Sequence, residues 1–380
     1  MKKAKTVMVR FCAEKTSVFF PKVDIDKHSG AEYNHRANGC TIKQKEVDEN
    51  MAVTIHDVAR LAGVNSSTVS RVINGKATIT PDTKERVYAA MRELDYHPNS
   101  LARSLASGLS GAIGVVVNAR DAEAFSNVFF SRSLFAIEKV AQSRNYQVII
   151  ANGAQNRGGT IENLMKEHKV DGLILPPTTV KPSLMETIGD FPYVVLGTPD
   201  TLRSETCWVD NNNEQGAEMA VQHLIKMGYS RIAYLGGYQK RGFTLRRVRG
   251  YQNAVGGTGV ILPTDGTSEN AHALALDELK KADHPDAFVC NDNLAAFGLL
   301  KACRELHLSV PQEIGIIAFD NYPLAEYMDP PLTIVDIDTA MLGEQTAQLL
   351  FRRIESRMGN QQIMLSTSLV IRASSERKAK

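Results

Sequence analysis

The sequence predicts an α/β protein: a small all-helical head followed by a larger body of parallel sheets in two lobes. Three observations predict it. The chain has 380 residues, more than one hydrophobic core organises, since cores stop growing near about 250 residues. Residues 54–94 carry capped helical spacing without strand alternation. From Gly111 onward, short apolar runs alternate with amphipathic stretches, the pattern of strands joined by crossover helices, and the series occurs twice.

Composition narrows the class. Hydrophobic residues make up 43% and charged residues 23%, which fits a soluble globular chain. No run of about 18 apolar residues exists, so a membrane span is excluded. The net charge of +2 does not by itself announce nucleic acid, because that takes clustered charge. The five cysteines (Cys12, Cys40, Cys207, Cys290, Cys303) are scattered without a CxxC or a close Cys/His pair. That argues against a disulfide framework and a zinc site, and a cytoplasmic home is expected.

Residues 1–50 hold no lasting helical or strand period, and Arg10, Glu14 and Lys15 interrupt any signal-peptide core. Met51 opens the first segment with sharp helix signals. The preceding Lys45-Glu46-Val47 can be encoded by purine-rich AAGGAGGT, the form of a bacterial ribosome-binding site. Residues 1–50 are therefore expected to be a non-native leader, with a disordered arm as the alternative.

Thr54 and Asp57 suit an N-terminal cap and an acidic variant of the capping box. The first helix carries Ile55, Val58, Ala59 and Leu61 on its apolar side and stops at Gly63. Asn65 can cap a second helix from Ser66 to about Asn74, with Val69, Val72 and Ile73 inward and Ser66, Ser67, Ser70 and Arg71 outward. Two helices joined by a few residues containing glycine form a helix-turn-helix. Small hydroxyls followed by an arginine one turn later suit base-edge contacts in a major groove, and an ordinary helical corner with a solvated face reads equally well. A third helix starts at Thr80-Pro81, with Val87, Ala90, Met91 and Leu94 as its stripe, and ends before His97-Pro98. The segment Ser100 to Gly108 is too short and too poor in apolar residues to be more than marginally helical alone.

In the body, strands are expected at 113–117, 146–150, 172–175 and 193–196, then at 231–235, 287–290 and 314–319, with a helix near Leu134 to Gln142. Open parallel sheets bind ligands beyond their strand ends. Asn291-Asp292 and Asp320-Asn321 stand at two such ends, and Arg247 lies in the run Leu245 to Tyr251. An arginine with carboxylate and carboxamide partners suits sugar hydroxyls, while strand-end capping or an interlobe salt bridge is the plainer reading. Gly236-Gly237 lacks a phosphate-loop context, His168 and His223 fall on expected helices, and no nucleophile elbow or catalytic carboxylate pair is present. No enzyme activity and no cofactor are expected.

The run Thr54 to Asn74, with Tyr96-His97-Pro98-Asn99 and Leu101 to Leu105, resembles the head and hinge of the lactose/galactose repressor family, and the likeness extends from Met51 to about Arg372. The resemblance implies a helix-turn-helix DNA-binding head and hinge helix on a two-lobed periplasmic-binding-protein-like body. It divides the chain into 51–98 (head), 99–110 (hinge), 111–374 (body) and a tail at 375–380. Lobe 1 takes about 111–211 and 338–357, and lobe 2 about 212–337 and 358–374. Ser66, Ser67 and Arg71 then face bases, and Thr54 and Asn74 approach phosphates. Ala102 and Leu105 are the hinge residues assigned to DNA, Leu105 as an apolar wedge in the minor groove. Phe130, Arg247, Asn291 and Asp320 fall at effector-contact positions.

Trp208 to Asn212 and Phe319 to Pro323 look closest to maltose-operon regulators of Gram-positive bacteria. The implied partners are operator DNA, a small carbohydrate effector (maltose or a related sugar) and a second copy of the chain in a homodimer, with no membrane. The rival readings are a carbon-catabolite regulator with a phosphoprotein corepressor, and a stand-alone sugar-binding protein. One departure is the short, glycine-rich stretch Gln252 to Gly259, where the family has a longer helix and loop.

Overall fold

The computed structural model describes residues 53–73, 79–96, 108–117, 128–153, 159–199, 206–237, 242–356 and 359–377. Asn74, Ala102 and Leu105 lie outside the described residues, as do residues 1–50. The described chain forms two units, one ending at Tyr96 and one beginning at His97.

The head is three helices: α1 (Ile55–Ala62), α2 (Ser66–Ile73) and α3 (Pro81–Glu93). Its core is Val58, Ala59, Ala62, Val69, Val72, Val87 and Ala90, with Ile55, Ile73, Met91 and Leu94 packed around them. Gly63 ends α1 at φ 65, the left-handed conformation in which glycine costs least. Leu61 departs from expectation: it is 45% exposed and Ala62 is buried instead. At 100° per residue Leu61 stands well off the face shared by Ile55, Val58, Ala59 and Ala62.

In the body, β1 (Ala112–Val117), α4 (Val128–Ser143), β2 (Gln147–Asn152), α5 (Thr160–Lys166), β3 (Gly172–Leu175), α6 (Pro182–Ile188), β4 (Tyr193–Leu196) and β5 (Trp208–Asn211) build the first lobe. There follow α7 (Asn213–Lys226), β6 (Ile232–Leu235), α8 (Gly242–Val255), β7 (Val260–Leu262), α9 (Ser268–Leu279), β8 (Ala287–Cys290), α10 (Asn293–Glu305), β9 (Gly315–Phe319), α11 (Pro323–Glu326) and β10 (Thr333–Asp336) in the second. The chain returns through α12 (Thr339–Ser356) and β11 (Gln362–Leu365), then ends with β12 (Ser368–Val370).

The sheets run β11-β5-β4-β3-β1-β2 and β12-β10-β9-β8-β6-β7. All ladders are parallel except β12 against β10. The continuous apolar runs of β1, β3 and β8 are buried along their whole length, as sheets covered by helices on both faces require.

Three corrections follow. Gln362–Leu365 pairs with Trp208–Asn211, so the return to the first lobe reaches residue 365, and residues 358–374 do not belong to the second lobe as a block. α8 continues through Gln252 to Val255 before Gly256 turns the chain at φ 76 into β7, a strand the sequence pattern did not reveal. Gly259 is required there, since a Cβ would collide with the Tyr251 hydroxyl. His168 sits at φ 50 in the turn after α5, not on a helix.

Candidate functional site

Two sets of residues qualify, one in each unit. In the head, the Asn65 side-chain oxygen accepts from the Thr68 backbone N–H (2.8 Å), the Thr68 hydroxyl (2.7 Å) and the Ser67 hydroxyl (2.8 Å). That locks the start of α2. Ser67 and Arg71, one turn apart, are exposed on its outer face. Ser66 is half-buried and hydrogen-bonded to His56 Nδ1 at 2.9 Å, which brings His56, a residue the sequence pattern did not single out, to the same helix end. Thr54 donates from its backbone N–H (3.0 Å) and hydroxyl (2.7 Å) to Asp57. Those bonds hold the Asp57 carboxyl below its usual range. Asp57 also pairs with Arg60.

In the body, the ends of β6, β8 and β9 converge on Arg247 of α8. Its side chain is only 4% exposed. Nε donates to Asn213 Oδ1 at 2.8 Å and Nη1 to the Asn291 carbonyl. Nη2 stands 3.6 Å from Asp320 Oδ1, and the guanidinium lies 3.9 Å from the centre of the Phe319 ring. Asn291 Oδ1 accepts from the buried Tyr234 hydroxyl (2.8 Å) and from Thr244 (3.3 Å), while its Nδ2 donates to Asp292 (3.0 Å). Asp292 also caps α10 through the Ala295 N–H. Gly237 approaches because it has no Cβ: one there would stand 2.8 Å from Asn291 Oδ1.

Asp320 takes the left-handed conformation at φ 71, uncommon outside glycine, which turns its side chain under burial. Burial pushes its carboxyl up to about 6 although the Arg247 guanidinium pulls it down. Asn293 Nδ2 donates to the carbonyls of Phe319 (2.9 Å) and Asp320 (2.5 Å).

The structure thus brings three of the four body residues together: Arg247, Asn291 and Asp320. The Arg247–Asp320 pair lies within the second lobe. The interlobe pair is Arg246 with Asp210 of β5, at 3.6 Å. Phe130 stands half-buried in the first turn of α4, and its neighbour Phe129 is the residue packed against the cores of both lobes.

A cavity of about 550 Å³ opens on another side of α4, lined among others by Ser131, Arg132, Phe135, Asn321, Asp336 and Asp338. It excludes Phe130, Arg247, Asn291 and Asp320. The polar cluster is the stronger ligand candidate, because the buried atoms Arg246 Nη1, Asn293 Oδ1 and Asp320 Oδ1 there have no hydrogen-bond partner, whereas the residues lining the open cavity show no such demand. Arg132 reaches across beside it to the Asn321 carbonyl at 3.2 Å. Sequence reading missed Asp210, Asn213, Arg246 and Asn293, although the runs Asp210-Asn211-Asn212-Asn213 and Asn291-Asp292-Asn293, each at a strand-to-helix junction, signal all but Arg246.

Among the described residues no helix is long and apolar enough to cross a membrane. Residues 54–99 match the bacterial regulatory proteins of the lacI family, and residues 221–375 match the periplasmic binding protein-like domain. The transcriptional regulator MalR of Streptococcus pneumoniae is 34% identical over 328 residues, covering 82% of this chain and 96% of its own. The transcriptional repressor PurR of Vibrio atlanticus is 30% identical over 316 residues, covering 80% and 92%. Among solved structures, the lac repressor dimer bound to operator and the anti-inducer ONPF aligns at TM-score 0.74 and 25% identity, covering 86% of this chain and 99% of that one. The complex of the regulator CelR with cellobiose aligns at TM-score 0.64 and 28% identity, covering 85% and 100%. The chain belongs to the lacI family of bacterial regulatory proteins, transcriptional regulators in which a helix-turn-helix DNA-binding head precedes a periplasmic-binding-protein-like body.

Proposed function

We propose that this protein is a cytoplasmic, homodimeric repressor of a carbohydrate-utilisation operon, whose grip on operator DNA is set by a small sugar bound at the Arg247 cluster. The observation that carries the effector half is the convergence of Asn291 and Asp320, at the ends of β8 and β9, on Arg247 within α8. The exposed pair Ser67 and Arg71 supports base reading by α2, with Ser66 and Thr54 beside them. Asn74, Ala102 and Leu105 complete the proposed DNA contacts, and Phe130 the proposed sugar contacts. Maltose or a related α-glucoside is the proposed effector, on the strength of the likeness to MalR. The mechanism is linkage: a ligand that favours one arrangement of the lobes changes operator affinity by the same coupling energy, typically about 1 to 3 kcal/mol.

The test is fluorescence anisotropy of the protein on DNA from its own upstream region, at fixed salt, titrated with maltose. Tight binding that maltose weakens supports the proposal. Tight binding that no sugar alters speaks for a protein corepressor, and absence of specific binding overturns it. Arg71→Ala is expected to relax discrimination at one base pair per half-site by about 1 to 3 kcal/mol, read by competition between operator variants.

A further inference from the structure

At the start of α2 the direction of each hydroxyl proton follows from its partner. Asn65 comes first: its Oδ1 accepts from the Thr68 backbone N–H at 2.8 Å, a bond its amide nitrogen could not accept, so the side chain's orientation is fixed. An amide oxygen only accepts. The Ser67 hydroxyl, 2.8 Å from that oxygen, therefore donates its one proton inward and turns lone pairs outward.

Ser66 has a different kind of partner. Its hydroxyl stands 2.9 Å from Nδ1 of His56, an exposed residue in the first turn of α1. An imidazole nitrogen can exchange roles where an amide oxygen cannot. Bare Nδ1 accepts the Ser66 proton, and Ser66 then shows lone pairs to the outside, as Ser67 does. In the imidazolium, Nδ1 carries a hydrogen and donates to Ser66 Oγ, so the hydroxyl proton is released outward. Bases tell the two forms apart: an accepting hydroxyl meets the amino groups of adenine and cytosine, and a donating one meets O6 and N7 of guanine or O4 of thymine.

The charges around His56 come from all three helices of the head. On α1, Asp57 adjoins it closely enough for the two to interact, and that carboxylate is bonded to Thr54 and paired with Arg60. On α2 the charged residue is Arg71, five positions beyond Ser66. From α3, Arg86 reaches the far end of α1 at the Ala62 carbonyl (3.4 Å). Within α3, Asp82 pairs with Arg86 and Glu85 with Arg92, and Lys84 and Glu93 complete its charges.

We infer that His56 is a specificity-determining residue of the head: its proton decides which base groups Ser66 can bind, so base preference at that position changes with pH while preference at the Ser67 position does not. The inference rests on the proposed reading of bases by α2.

The experiment is competition anisotropy with the tightest-binding duplex from the protein's own upstream DNA and its single base-pair variants. It is run at fixed salt at about pH 8 and about pH 5.5, on the two sides of the range in which imidazoles titrate. Ser66→Ala and Ser67→Ala identify the base pair that each serine reads. A protonated histidine also attracts phosphates in every sequence, so the readout is the ratio between base variants and not the affinity. The expected result at the Ser66 position is a fall of about threefold to tenfold in the preference for adenine or cytosine over guanine or thymine at the lower pH, the effect of one hydrogen bond. The ratio at the Ser67 position is expected to stay constant, and His56→Gln, which cannot titrate, to flatten the change at Ser66. The comparison on the unaltered protein needs no variant to fold. A Ser66 ratio that does not move with pH, or one that still moves in His56→Gln, overturns the inference while base reading by α2 stands. If Ser66→Ala changes discrimination at no base pair, the reading by Ser66 and the inference fall together.

Discussion

In the first lobe β1 lies between β2 and β3, and the later strands β4, β5 and β11 follow on one side; in the second, β6 lies between β7 and β8, followed by β9, β10 and β12. The order is the same, and only the last strand differs in direction. The polar groups at the strand ends differ far more. Asp210, the last residue but one of β5, has its carboxylate filled by the Thr198 N–H (2.9 Å) and hydroxyl (2.6 Å), the Asn211 N–H (2.8 Å) and Asn213 Nδ2 (3.4 Å). Asp320, ending β9, is buried with Oδ1 unfilled and its carboxyl pushed up to about 6. The lesson is that saturation separates the two: four hydrogen bonds tie Asp210 into its junction, whereas Asp320 Oδ1 rests on its ion pair with Arg247.

The largest test of this contrast is Arg247→Ala. It strands Asp320, Asn213 Oδ1 and the Asn291 carbonyl together, and a broken buried pair typically costs about 3 to 5 kcal/mol. Trp208, the one tryptophan, stands in β5 and reports the first lobe, so urea unfolding followed by its fluorescence and by circular dichroism separates the lobes. The dichroism transition is expected to move first. An unmoved curve would break the comparison.

A smaller effect comes from Asp320 through pH. Its folded carboxyl is raised from 3.8 to about 6, so between those values the native state holds a proton that the unfolded chain has released. The contribution is fully present below about pH 4 and is lost as pH rises through 6, an amount of roughly 2 to 3 kcal/mol. Asp320→Asn is expected to flatten that part of the stability profile, and a variant with the same slope as the parent removes Asp320 from the explanation.

The smallest effects sharpen the likeness between the lobes. A Cβ on Gly250 would collide with the Glu214 carbonyl where α8 crosses α7, and one on Gly343 with the Ser133 carbonyl where α12 crosses α4. Gly250→Ala and Gly343→Ala are each expected to destabilise by about 1 to 3 kcal/mol, in the second and first lobe respectively. Equal midpoint shifts would mark the two crossings as mechanically equivalent.

How much was legible follows the same physics. Buried strands such as Gly172–Leu175 and Ala287–Cys290 announce themselves because both faces are apolar. The edge strands Val260–Leu262, Gln362–Leu365 and Ser368–Val370 do not: they are three or four residues long and half-exposed, with too little pattern to read. Arg247, Asn291 and Asp320 were legible through the family resemblance. Their partners Asp210 and Asn213 were not, since they meet the cluster from elements distant in sequence, and Asn293 reads in sequence only as the first residue of a helix. Two adjacent aromatics are not told apart by sequence alone: Phe129 packs against both lobe cores, and Phe130 stands half-buried beside it.

The late return of β11 to the first sheet has a consequence during synthesis. The core of the head lies wholly within residues 54–96, whereas the first lobe lacks its outer strand until residue 365 has been added. At about 5 to 20 residues per second, the intervening 365 − 96 = 269 residues occupy the ribosome for roughly 15 to 50 s. Each nascent chain therefore passes through a period in which its DNA-reading part can be finished while the part that would govern it is still being made.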